Sequence, residues 1–149
     1  MAVDIRQTLL VSGALLFLIG LLSGVFVPQM ANPRMGLSAH LAGVQNALFL
    51  LVVVAVWDHI GLSQRLRILL GWFGIASMYG FWLALQLAAV WGTSRATPIA
   101  GAGFEGLGPH EAVVTILLRA SSLVAILAAL LLLAGFLRLG NGKSTKPNN

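Results

Sequence analysis

Several polar side chains fall inside long apolar runs of this 149-residue chain: His40, Gln45 and Asn46 in one run, Tyr79 and Gln86 in another, Arg119 in the last. An imidazole such as His40 can ligate haem iron or another metal, or move a proton. The chain has no cysteine, and no acidic residue or second histidine lies three or four residues from His40. A closed zinc site is therefore not expected. A single axial histidine on haem needs no second protein ligand, so that chemistry stays open. The plainer alternative is an interfacial histidine bonded to a loop carbonyl.

Asn46 follows His40 by six residues, about 240° around a helix and about 9 Å along it. Gly43 lies between them on a slanted track. A large flat ligand lying along the helix could touch all three, with Gly43 giving clearance. Asn46 could equally bond a neighbouring helix, and Gln45 is expected to do so. Tyr79 is the only tyrosine. It sits in mid-helix, where a hydroxyl needs a partner and could donate a proton in a pocket. Arg119 can snorkel to the interface or pair with Glu111, Glu105 or an acidic ligand group such as a haem propionate. His59 and His110 read as surface histidines.

These residues must be positioned by membrane elements. The chain is 58% hydrophobic and 9% charged, with mean hydropathy +0.94. Soluble domains carry about 25% charged residues. Four apolar runs approach or exceed the roughly 20 residues that cross a bilayer: about 8–27, 38–57, 66–91 and 111–137. Backbone in lipid must bond internally, so each run is expected to be a helix. The expected fold is an all-α membrane protein, a four-transmembrane-helix bundle over residues 1–137, followed by a disordered polar tail at 138–149. The first run reads as a retained span and not as a signal peptide.

Arg6, Arg65, Arg67, Arg138, Lys143 and Lys146 gather on one side, against Arg34 and Arg95 on the other. The basic side is expected inside, which makes both termini cytoplasmic. The net charge of +5 is scattered at segment ends and forms no stripe, so nucleic acid is not an expected partner. Most of the four tryptophans are expected to anchor or pack helix ends. Small residues on the first three runs (Gly13, Gly20, Gly24; Ala39, Gly43, Ala47; Gly71, Gly74) point to close helix packing and a plausible homo-oligomer. No phosphate loop, serine elbow or HExxH motif is present.

One block carries a family likeness. NPRMGLSAHLAGVQNALFL (32–50) resembles the junction of the first two helices in hydroxylaminobenzene mutases, small bacterial membrane enzymes. GLLSGVFVP (20–28), MYGFWLALQLAAVWG (78–92) and TPIAGAGFEG (97–106) extend the likeness over residues 8–137. A more distant similarity is to styrene oxide isomerase, through a histidine followed six residues later by an asparagine. The resemblance implies isomerisation of a small aromatic, hydroxylaminobenzene to 2-aminophenol, in the bacterial inner membrane. It also implies a homotrimer binding ferric haem b. His40 would be the axial ligand, with Asn46 and Tyr79 holding substrate; Gly43 and Arg119 are added from the residue chemistry as cofactor contacts. Two positions depart from the mutase pattern: Ala42 replaces an acidic residue, and Phe81 an asparagine. The competing classes are an epoxide isomerase and a non-enzymatic membrane haem or electron-transfer protein.

Overall fold

The computed structural model describes residues 4–143, and those residues contain no strand. Five helices follow one another: α1 (Ile5–Val25), α2 (Pro33–Ala55), α3 (Gln64–Trp91), the single turn α4 (Pro98–Gly101) and α5 (Gly108–Lys143). Four of them are long and apolar enough to cross a membrane. The expected four-helix membrane bundle is thus the observed fold. Part of the expected polar tail falls within α5, and residues 144–149 lie outside the described residues.

Hydropathy places the helix starts late because the first turns are polar and are fixed by capping. Asp4 accepts from Arg6 N at 3.0 Å and opens α1 three residues before the apolar run. Asn32 accepts from Met35 N at 3.1 Å, with Pro33 at the first helical position, and opens α2 five residues early. Both caps satisfy backbone N–H groups that no helix can satisfy itself. At its other end α3 stops on Gly92, whose φ of +66° is the left-handed conformation suited to glycine.

The chain runs up and down, and interhelical bonds fix which ends meet. Arg6 at the start of α1 faces Asp58 just after α2, at 3.4 Å. Gly61 N, before α3, donates to Gly135 O near the end of α5 at 3.0 Å. At the opposite end Asn32 N donates to Ala89 O of α3 at 2.9 Å. Both termini of the bundle therefore lie at one end of it.

α1 packs on α2, α2 on α3 and α3 on α5, with a smaller α1–α3 contact. Glycines let these helices approach closely. A Cβ at Gly20 would lie 2.9 Å from the Gly43 carbonyl carbon, so α1 and α2 cross almost backbone to backbone. The core fills the space between such crossings with Leu9, Leu16, Leu50, Ile60 and Leu70, all buried. The outward faces are apolar: Leu10, Leu18, Leu48, Leu123 and Leu130 stand about half exposed. That is the arrangement for a chain solvated by lipid.

The longer connection, 92–107, is held by one carboxylate. Glu111 is only 4% exposed and accepts from Ser94 N at 2.9 Å, Arg95 N at 3.0 Å and Gly106 N at 3.2 Å. Asn32 adds a bond from Nδ2 to Gly101 O at 2.9 Å. Glu111→Ala would leave three backbone donors without their acceptor. It should cost about 2–3 kcal/mol and speed proteolysis within 92–107; equal cleavage of variant and wild type would refute this role.

Candidate functional site

His40 lies two turns into α2 and turns toward α1. Its Nδ1 lies 2.8 Å from the backbone oxygen of Gly20. A carbonyl can only accept, so Nδ1 donates to it, and in the neutral imidazole the lone pair is then on Nε2. A backbone-held imidazole of this kind is the usual preparation of a metal-ligating histidine. Gly24 makes the approach possible, because a Cβ there would stand 2.6 Å from His40 Nδ1. The ring then lines an open groove of about 440 Å³ between α1 and α2, walled by Leu21, Gly24, Val25, Val27, Pro28 and Leu37. Apart from the imidazole, no other wall residue carries a polar side chain.

The remaining expected site residues separate around the bundle. Asn46 turns away from α1 and donates from Nδ2 to Met78 O of α3 at 2.9 Å. Tyr79 donates its hydroxyl to Ser12 O of α1 at 2.8 Å. Both are half-buried. The two bonds brace α3 against the pair of helices that forms the groove. Neither residue lines the His40 groove. His40 and Asn46 flank the buried face of α2, about 120° apart at 100° per residue, one toward each neighbouring helix.

Two expected cofactor contacts are placed differently from expectation. Gly43 gives clearance, but to protein: a Cβ there would lie 2.7 Å from Trp82 Cδ1 and 2.8 Å from Gly20 Cα. Its open side is already filled, so a flat ligand cannot lie across it. Arg119 sits exposed on α5, which packs on α3, and is not among the groove's walls. Of the alternatives open to it, pairing with Glu111 is not made: that carboxylate is occupied by the loop amides. Gln45 likewise is exposed in mid-α2 and makes no helix–helix bond among the described residues.

Other residues gain roles that composition did not reveal. Trp82 packs on Gly43, with its indole N–H buried and unpaired; Gln86, one turn on, has a buried, unpaired Oε1. His110 is not simply a surface group: its ring stacks on Trp91, centroids 4.3 Å apart. Asn32 is fully buried and joins α2, α3 and α4. Its place before Pro33 and three residues ahead of Met35 N was the capping signal available in the sequence.

What this arrangement can do is hold one metal-ligating nitrogen at the edge of an apolar, lipid-accessible groove. Known proteins can be set beside that geometry. The sequence profile of the styrene oxide isomerase family matches residues 5–137. Hydroxylaminobenzene mutase HabB of Ectopseudomonas oleovorans is 39% identical over 132 residues, covering 88% of this chain and 80% of that protein. Hydroxylaminobenzene mutase HabA of the same organism is 37% identical over 131 residues, covering 87% and 97%. No solved structure matches the chain significantly. The aligned region takes in all four spanning helices, the His40 groove and the Glu111-held loop, and the chain belongs to the styrene oxide isomerase family of membrane isomerases.

Proposed function

We propose that this membrane isomerase rearranges arylhydroxylamines of the hydroxylaminobenzene type to 2-aminophenols, with ferric haem b held by His40. The substrate class rests on the names of the two mutases to which the chain is similar. The observation that supports the cofactor is the setting of His40: Nδ1 is bonded to Gly20 O, which leaves Nε2 of the neutral ring for a ligand, and the residue lines a groove with otherwise apolar walls. One imidazole and an apolar wall would suit a haem, which His40 would hold. Gly43 and Arg119 of the same chain add nothing to that fit.

The reaction is an isomerisation. The N–O bond breaks, a C–O bond forms at the ortho carbon, the ring proton leaves and the nitrogen regains one, with no net electron transfer. When bound, ferric haem supplies a Lewis-acidic centre for the N-hydroxyl oxygen. The chain does the rest. Gly20 O fixes the His40 ring and strengthens it as a donor. The apolar walls keep bulk water from the para carbon, where it would divert the reaction. Asn46 and Tyr79 do not line the His40 groove; to orient substrate they would have to be reached from it, the amide using its free oxygen and the phenol exchanging Ser12 O for a substrate oxygen.

The same reading places the protein in a bacterial inner membrane, both termini cytoplasmic by the arginine and lysine distribution, and assembled as a homotrimer. Gln45 and Arg119 support assembly: both face outward from apolar spans, where polar groups usually find protein partners. The family description favours a second substrate class, an aryl epoxide.

The test is an absorption spectrum of purified protein followed by product analysis. A Soret band and 2-aminophenol from phenylhydroxylamine are expected. A colourless protein that is fully active would remove the haem, and turnover of styrene oxide alone would transfer the reading to epoxides.

A further inference from the structure

A second groove lies away from His40, between the first turns of α2 and the α4 turn. It measures about 540 Å³ and includes Arg34, Ser38, Thr97, Pro98 and Ile99 among its walls. Arg34 is exposed, and its guanidinium has no acidic partner among the described residues, where the single ion pair is Arg6–Asp58. No acidic side chain lines the groove. The opposite wall is apolar apart from Thr97, and Ile99 is 83% exposed, the most exposed of the large apolar side chains among the described residues. Below Arg34 the same outward stripe of α2 continues as Leu37 and Leu41, also exposed.

The order along the bundle is therefore a cation at the end of the span, an apolar ledge beside it, and an apolar track leading into the bilayer. An amphiphile with an anionic head and an acyl tail matches that order. A guanidinium grips phosphate oxygens two at a time, which a hydrated ammonium does not. Arg34 lies in the first turn of α2, at the end of a span, where a basic side chain can meet anionic lipid headgroups beside the apolar core. The exposure of Ile99 and the unpaired charge of Arg34 are separate observations, and one ligand accounts for both.

We propose that this groove is a binding site for a single phospholipid, its phosphate on Arg34 and an acyl chain along Ile99 and Leu41. The site is distinct from the one read above: the walls of this groove and those of the His40 groove have no residue in common.

The experiment uses the full chain in dodecyl maltoside, depleted of lipid and titrated with dioleoylphosphatidylglycerol. Retained lipid is read by native mass spectrometry and the melting temperature alongside. One tightly retained lipid per chain is expected. Arg34→Gln should weaken retention about tenfold, as for loss of one charge-assisted bond, and Arg34→Lys by less. Ile99→Ser should weaken the lipid as well. sn-Glycerol 3-phosphate, which offers the same phosphate without chains, should neither protect nor compete at the same concentration. Unchanged retention in Arg34→Gln would overturn the proposal. Equal protection by glycerophosphate would overturn the lipid as occupant and leave a free phosphate in its place.

Discussion

Replacing His40 by alanine should abolish the Soret band and the isomerase activity together, with activity falling at least about 100-fold. The structure separates this outcome from unfolding. His40 contributes one hydrogen bond to the α1–α2 contact, from Nδ1 to Gly20 O, worth about 1 kcal/mol. The helix pair is otherwise held by glycine crossings and by Leu9, Leu16 and Leu50. The variant should therefore melt close to wild type while having lost its chemistry. Two results would count against the reading. Activity that persists without a Soret band would remove haem from the reaction. A large drop in melting temperature would make His40 a packing residue first.

The second large effect is expected at Gly20, which is buried and is not itself a wall of the groove, although its carbonyl holds the His40 ring. A Cβ there would lie 2.9 Å from Gly43 C and 3.0 Å from Val44 N. Those are backbone atoms and cannot turn aside, so Gly20→Val must force α1 and α2 apart. Overpacking of this kind costs about 1–3 kcal/mol, and the upper end applies where only backbone can move. Separation also draws the Gly20 carbonyl away from His40 Nδ1, so activity should fall along with stability. Gly74→Ala is the matched control. A Cβ at Gly74 meets Leu50 Cδ2 at 3.4 Å, an ordinary contact. Unfolding midpoints in sodium dodecyl sulfate for the two variants test the difference. Equal midpoints would show that the Gly20–Gly43 crossing is not a critical contact.

The membrane architecture was legible because its signal is additive. Each span repeats the same apolar preference over about 20 residues, and no local error can hide it. The helix starts were less legible because they depend on single residues. Asp4 and Asn32 extend α1 and α2 beyond their apolar runs by capping, a contribution that hydropathy averages away. The α4 turn was missed within a stretch that reads as a glycine-rich loop.

The candidate residues were legible in type and not in partnership. His40, Asn46 and Tyr79 stand out as polar groups in apolar runs, but each is bonded to a backbone oxygen: Gly20, Met78 and Ser12 respectively. A backbone acceptor has no residue type, so no sequence pattern announces it. Glu111 illustrates the same blindness. Charge offers Arg119 as one possible partner, whereas three loop amides hold it. Gly43 was read for ligand clearance because its neighbours across the helix pair, Trp82 and Gly20, lie 39 and 23 residues away along the chain. Pattern on one helix cannot say which face another helix will take.

Those backbone acceptors bear on how the protein can vary. A side chain that relies on another side chain can be lost by mutation at either position. Here Ser12, Gly20 and Met78 offer main-chain oxygens, which every amino acid possesses. Exchange at Ser12 or Met78 for a residue of similar size leaves the acceptor in place. Drift at those two positions does not disarm their partners, and the genetic target for losing these bonds shrinks toward His40, Asn46 and Tyr79 themselves. Gly20 is the exception: its oxygen is as durable as the others, but its missing side chain is what lets the two helices meet.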